Sequence, residues 1–152
     1  MGRPSKDYKG NEGKEKMKKE EINLGDVANP DFLFFLTSDL TELIGEPDKI
    51  VVGFKGITPE YCVLIYNKRG EVYAIRGNIE KEEVTKEDLK WLGIDIGKYP
   101  RLESYIKPLL LVWAETQIRI HPSDWEYIKV SSPEELESLE KEYSHCRTVF
   151  LL

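Results

Sequence analysis

The sequence predicts an α+β domain: a mainly antiparallel or mixed sheet of about six to seven strands, with three to four helices packed on one face or at its ends. Three observations lead there. Short runs rich in β-branched and aromatic residues follow one another through brief connections. Amphipathic helical segments bounded by recognisable caps interrupt those runs. The order shows neither the regular strand–helix alternation of a parallel sheet nor a repeat of 20–50 residues.

Residues 1–21 read as a disordered charged tail, because they hold almost nothing apolar to offset the entropy of ordering. The abrupt change in composition also makes Met17 an alternative start, which an intact-mass measurement on native protein decides. A single globular domain over 22–152 follows, with its first strong element near Asn29. There an N-cap precedes Pro30 at the first helical position, apolar residues recur from Phe32 to Ile44, and Gly45 closes the turn before Pro47. The spacing predicts a helix over 30–44.

Strands are expected at 49–55, 60–67 and 71–77, the last two joined by a short hairpin connection through Gly70. Both faces of 62–66 are apolar, so that strand should be central and covered on each side. Thr85 caps a short helix that Gly93 stops, and Pro100 opens another over roughly 100–107 that Pro108 ends. Strands are then expected at 109–115, 117–121 and 125–130, the last two forming a hairpin about His121-Pro122-Ser123-Asp124. Ser132 and Pro133 begin a helix over 133–143. The apolar segment 148–152 is a final strand, paired within its own sheet or used at a homodimer interface.

The charge is unevenly placed. The net charge of -6 combines a basic tail (seven bases and five acids in residues 1–21) with an acidic body. That body repels nucleic-acid phosphates at long range, so nucleic acid would have to engage the tail or a local basic patch. Abundant Lys and Glu, with Gln once and Met and Cys twice each, match the composition of thermophile proteins. No apolar run approaches the roughly 18–20 residues of a membrane span, and the N-terminal residues lack the apolar stretch of a secretory signal. The expected location is therefore the cytoplasm.

The most informative pattern for function is the expected hairpin. Strand alternation would place Gln117, Arg119 and His121 beside Trp125, Tyr127 and Lys129 on one face, a mixture of amides, cations and aromatics suited to recognition. The leading expectation is thus a non-enzymatic binding or accessory protein that meets a protein partner or a second copy of itself through its sheet. The alternative is nucleic-acid binding, with Arg3, Lys6 and Lys9 of the tail on phosphates and the hairpin aromatics stacking on bases. Gly2-Arg3-Pro4 with Lys6 resembles the core of an AT-hook over three residues, without the dense flanking cations such motifs use in the minor groove.

An enzyme with a site assembled from distant residues, such as His121 and Cys146, is a third class. No catalytic residue is assigned and no metal or cofactor is expected. The ligand pair His145-Cys146 is adjacent on a strand, so its side chains should point to opposite faces. Cys62 and Cys146 are expected as buried small hydrophobes, with a disulfide between them as the alternative. The acidic runs 80–88 and 134–142 read as solvated helix surfaces.

Overall fold

The computed structural model describes residues 20–81, 83–94, 97, 99–118 and 126–152. The fold is α+β, and the described residues form a six-stranded sheet with five α-helices. In chain order the elements are β1 (Glu20–Asn23), α1 (Leu24–Val27), α2 (Pro30–Ile44), β2 (Pro47–Phe54), β3 (Glu60–Asn67) and β4 (Val72–Asn78). A 3-10 turn (Ile79–Lys81), α3 (Lys86–Trp91), α4 (Glu103–Ile118), β5 (Glu126–Val130), α5 (Pro133–Glu142) and β6 (His145–Leu151) complete it.

The sheet order is β1-β6-β2-β3-β4-β5. Only β1 and β6 run parallel; the other neighbours are antiparallel. The last strand therefore pairs inside its own sheet, between β1 and β2, and Phe150 is fully buried. Two residues assigned to the tail belong to the fold: Glu20 and Glu21 pair with Thr148 and Val149. Here ladder partners, rather than side-chain burial, order a segment with little apolar content.

Helix α2 forms where its caps place it. The Asn29 side chain accepts from the Asp31 amide at 2.8 Å, Pro30 sits at the first position, and Gly45 at φ 91 ends the helix. Phe32, Leu36, Leu40 and Ile44 are its buried stripe. Thr85 and Asp88 close a reciprocal capping box at α3. Ser132 caps α5 by accepting from the Glu135 amide at 3.1 Å.

The segment 100–121 departs from expectation. The short helix to 107 and the strand 109–115 are one helix, α4, which runs through Pro108 and includes Gln117 and Ile118. Gln117 and Ile118, the start of the expected strand 117–121, are thus helical; β5 pairs with β4, and 119–121 lie outside the described residues. The physical reason is burial. Leu102, Tyr105, Ile106, Leu109 and Val112 all pack into the core at helical spacing on both sides of Pro108. Keeping that stripe continuous outweighs the interior-proline cost of about 3 kcal/mol.

The helices also lie on both faces. The larger core joins α1, α2, α3 and α4 to Ile50, Val52, Val63, Ile65, Ile75 and Phe150 of the sheet. On the opposite face, among the described residues, α5 is the helix that covers Val51, Cys62, Leu64, Ala74 and Val149. Strand β3, apolar on both sides, is accordingly buried along most of its length.

Candidate functional site: a cleft at a β-bulge

Between β2 and β6 the register slips once. Val52 pairs with Thr148 and Phe54 with His145, so Gly53 alone faces the two residues Cys146 and Arg147. This is a β-bulge, and its first residue adopts the left-handed conformation that glycine normally supplies. Cys146 holds φ 47, the only non-glycine residue with positive φ among those described. A side chain there costs about 1–2 kcal/mol relative to ordinary backbone. Gly53 has its own reason: a Cβ would overlap the carbonyl oxygen of Tyr143 at the end of α5.

The bulge breaks the alternation of β6. His145 and Cys146, adjacent in sequence, both line one cleft of about 450 Å³ at the end of the sheet. Its other walls come from the β2–β3 turn (Gly56 to Pro59), the 3-10 turn at Ile79 and Glu80, and Arg101, Ser104 and Tyr105 around the start of α4. The β2–β3 turn is braced by Thr58, whose hydroxyl donates to the Lys55 carbonyl at 2.6 Å. Ile79 fastens the second turn to it by donating its amide to the Pro59 carbonyl at 3.1 Å. Pro108 has no N–H to give the Ser104 carbonyl one turn back, which leaves α4 locally open beside the cleft.

Tyr105 forms the inner wall. Its ring packs on Phe54 with centroids 5.6 Å apart, and its hydroxyl lies beside the side chains of Cys146 and Thr148. Burial, then the neighbouring Cys146, pushes its phenol up to about 12, so it is a hydrogen-bond donor at neutral pH. The Thr148 hydroxyl reaches on to Glu20 of β1 at 3.5 Å. Polar side chains of Cys146, Tyr105, Thr148 and Glu20 thus neighbour one another inward from the cleft. Ile57, 92% exposed, stands at the lip.

The described residues of the recognition face expected from sequence, Gln117, Tyr127 and Lys129, are not among those that line the cleft. Gln117 is on α4, and Arg119, His121 and Trp125 fall outside the described residues, as do Arg3, Lys6 and Lys9. Tyr127 and Lys129 lie on β5, opposite Ile75 and Tyr73. Lys129 donates to Glu71 at 2.9 Å, and that carboxylate raises its pKa. Glu71 also accepts from Asn67 and Arg69, and these donors, Lys129 first, hold its carboxyl at about 2. Asn67 caps the end of α2 through the Ile44 carbonyl at 2.6 Å, which makes this cluster a brace for the β3–β4 hairpin.

Cys62 and Cys146 are both free. They belong to opposite faces of the sheet, and burial pushes the Cys62 thiol up to about 12. Among the described residues no group of three His, Cys, Asp or Glu is placed to hold a metal ion. No helix of the described residues is long and apolar enough to cross a membrane. The sequence does contain one signal for the cleft: Gly53 interrupts an otherwise apolar strand, and an isolated strand glycine marks a bulge or a close backbone approach. Here it marks both.

Comparison with family models, with curated proteins and with solved structures returns no match.

Proposed function

We propose that this chain is a non-enzymatic binding domain whose ligand seats in the cleft at the Cys146 bulge. The observation that carries the reading is the strained Cys146 backbone at the mouth of a cleft of ligand size. Bulges re-aim side chains beside functional sites, and a strained non-glycine residue persists only where the surroundings over-determine it. The lining has the make-up of a small-molecule site, with Phe54, Ile57, Ile79 and Tyr105 giving apolar area and Arg101, Ser104 and His145 giving orientation.

Ligand-observed NMR with a fragment library tests this, with hits mapped on isotope-labelled protein. Bound fragments are expected to shift Phe54, Tyr105 and Cys146, and Ser104→Trp, which plugs the cleft from an exposed position, is expected to abolish those shifts. Hits that map elsewhere, or that persist in the plugged variant, overturn the reading.

One observation favours a second reading, an enzyme acting through Cys146: the thiol and the His145 imidazole share the cleft. Turnover of an activated thioester that stops in Cys146→Ser would establish it, and binding without turnover would leave the first reading standing.

A further inference from the structure

Helix α5 is a lightly anchored element that ends at the bulge. None of its residues is fully buried, and Leu136 and Leu139 only partly cover the apolar patch beneath it. Elements with so little apolar burial open locally ahead of the core. Glu142 is its last residue and His145 the first of β6, so Tyr143 and Ser144 alone join the helix to the cleft wall. Those two residues supply at most about 7 Å of chain, so a helix end that leaves the sheet draws on His145.

Further ties converge on the same place. The Tyr143 carbonyl rests against Gly53, where a side chain would overlap it. Arg147, the second residue of the bulge, lies beside Gly53 with its guanidinium 4.0 Å from Glu140 of α5. Glu142 reaches Lys55 at 3.4 Å, and the Lys55 carbonyl accepts the Thr58 hydroxyl that braces the β2–β3 turn of the cleft. That last ion pair is exposed and contributes little; the Tyr143 and Arg147 contacts are the stronger ties.

We propose that α5 is a latch for the cleft on the other side of the sheet. While the helix is seated, the bulge keeps Cys146 turned into the cleft. When it lifts, the bulge and the His145–Cys146 wall loosen with it. The left-handed Cys146 backbone supplies the reason, because such strain persists only where its surroundings over-determine it. From the α5 side those surroundings are the Tyr143 carbonyl and Arg147. Linkage makes the coupling reciprocal: anything seated against Cys146 holds α5 down, and anything that lifts α5 loosens the cleft. The coupling belongs to the chain itself and stands whichever ligand uses the cleft.

Hydrogen exchange read by NMR on the full chain tests the latch, with α5 weakened at the end away from the bulge. Ser132→Ala removes the cap that accepts from the Glu135 amide, about 15 Å along the helix from Tyr143. Exchange in α5 is expected to rise about five-fold, the effect of one lost cap. The protected amides among residues 53–54 and 145–147 are expected to rise by the same factor, and those of α2 to hold. In the unsubstituted chain, α5 and the bulge are expected to share one opening across sub-denaturing urea. Bulge amides that keep their rates while α5 accelerates would overturn the proposal. So would acceleration that passes instead into β5, which Ser131 and Ser132 join to the other end of the helix. Equal acceleration in α2 would overturn it as well, since the latch would then have no opening of its own.

Discussion

The two faces of the sheet are held in different ways. On one, four helices enclose a continuous apolar core from Leu24 and Phe32 through Ile65 to Ile106 and Phe150. On the other, a single helix among the described residues, α5, with no fully buried residue of its own, lies over a smaller patch and a polar network. Glu140 of α5 accepts from the Tyr66 hydroxyl at 3.2 Å and faces Arg147 at 4.0 Å, while Lys55 meets Glu142 at 3.4 Å. The Arg76 guanidinium lies near Tyr143, and burial, with Glu140 beside it, pushes the Tyr66 phenol up to about 12. The first face supplies most of the apolar burial that opposes chain entropy; the second supplies directional contacts that each contribute about 1 kcal/mol. One consequence is uneven local stability, with α5 opening before α2.

The bulge is where the two faces are coupled. Cys146 turns into the cleft on the four-helix side, Arg147 reaches Glu140 on the α5 side, and Gly53 between them makes room for the end of α5. A single inserted residue therefore shapes a cleft on one face and seats a helix on the other.

The comparison is broken most severely by Phe32→Ala. Phe32 is fully buried and meets Trp91 edge-on at 5.6 Å, so chemical denaturation is expected to show a loss of about 3–5 kcal/mol and exchange rising throughout the molecule. Gly53→Ala forces a Cβ into the Tyr143 carbonyl, and a loss of about 2–3 kcal/mol is expected, with hydrogen exchange rising first in α5. Ser132→Ala removes the α5 cap; about 1 kcal/mol is expected, with faster exchange in α5 and unchanged exchange in α2.

The smallest effect is a pH dependence from Glu71. Its folded carboxyl titrates at about 2, below the ordinary 4.5. Its contribution is therefore present above about pH 4.5 and lost as the pH falls toward 2. Acid titrations followed by circular dichroism are expected to show a shallower acid slope in Glu71→Gln.

Much of this fold is legible in the sequence, because local chemistry and tertiary structure agree there. Asn29-Pro30 and Gly45 bound α2, and Ser132-Pro133 begins α5. The unbroken apolar run within 60–67 describes a strand buried on both faces. The misreading at 109–121 has a definite source. Leu109 to Ala114 is an unbroken apolar run, for which helical and strand periods cannot be told apart, and Pro108 is locally a stop signal. The helical spacing emerges only when Leu102, Tyr105 and Ile106 are counted with Leu109 and Val112 across the proline.

The cleft was hidden for a different reason. Its residues come from four separated segments, and strand alternation separates His145 from Cys146 unless the bulge is known. The expected Gln117–Lys129 face rested on a hairpin whose first strand is, at Gln117, helical.

The central claim is that a strained, non-glycine bulge residue builds the cleft, and comparing Cys146→Gly with Cys146→Ala by thermal unfolding tests it most directly. Both variants lose the thiol, but only glycine relaxes the left-handed backbone. The glycine variant is expected to be about 1 kcal/mol more stable than the alanine variant, near 3 °C in Tm for a chain of this size. An alanine variant equal to or more stable than the glycine variant, the usual order within a strand, would contradict the strain and with it the reason for placing the site at the bulge.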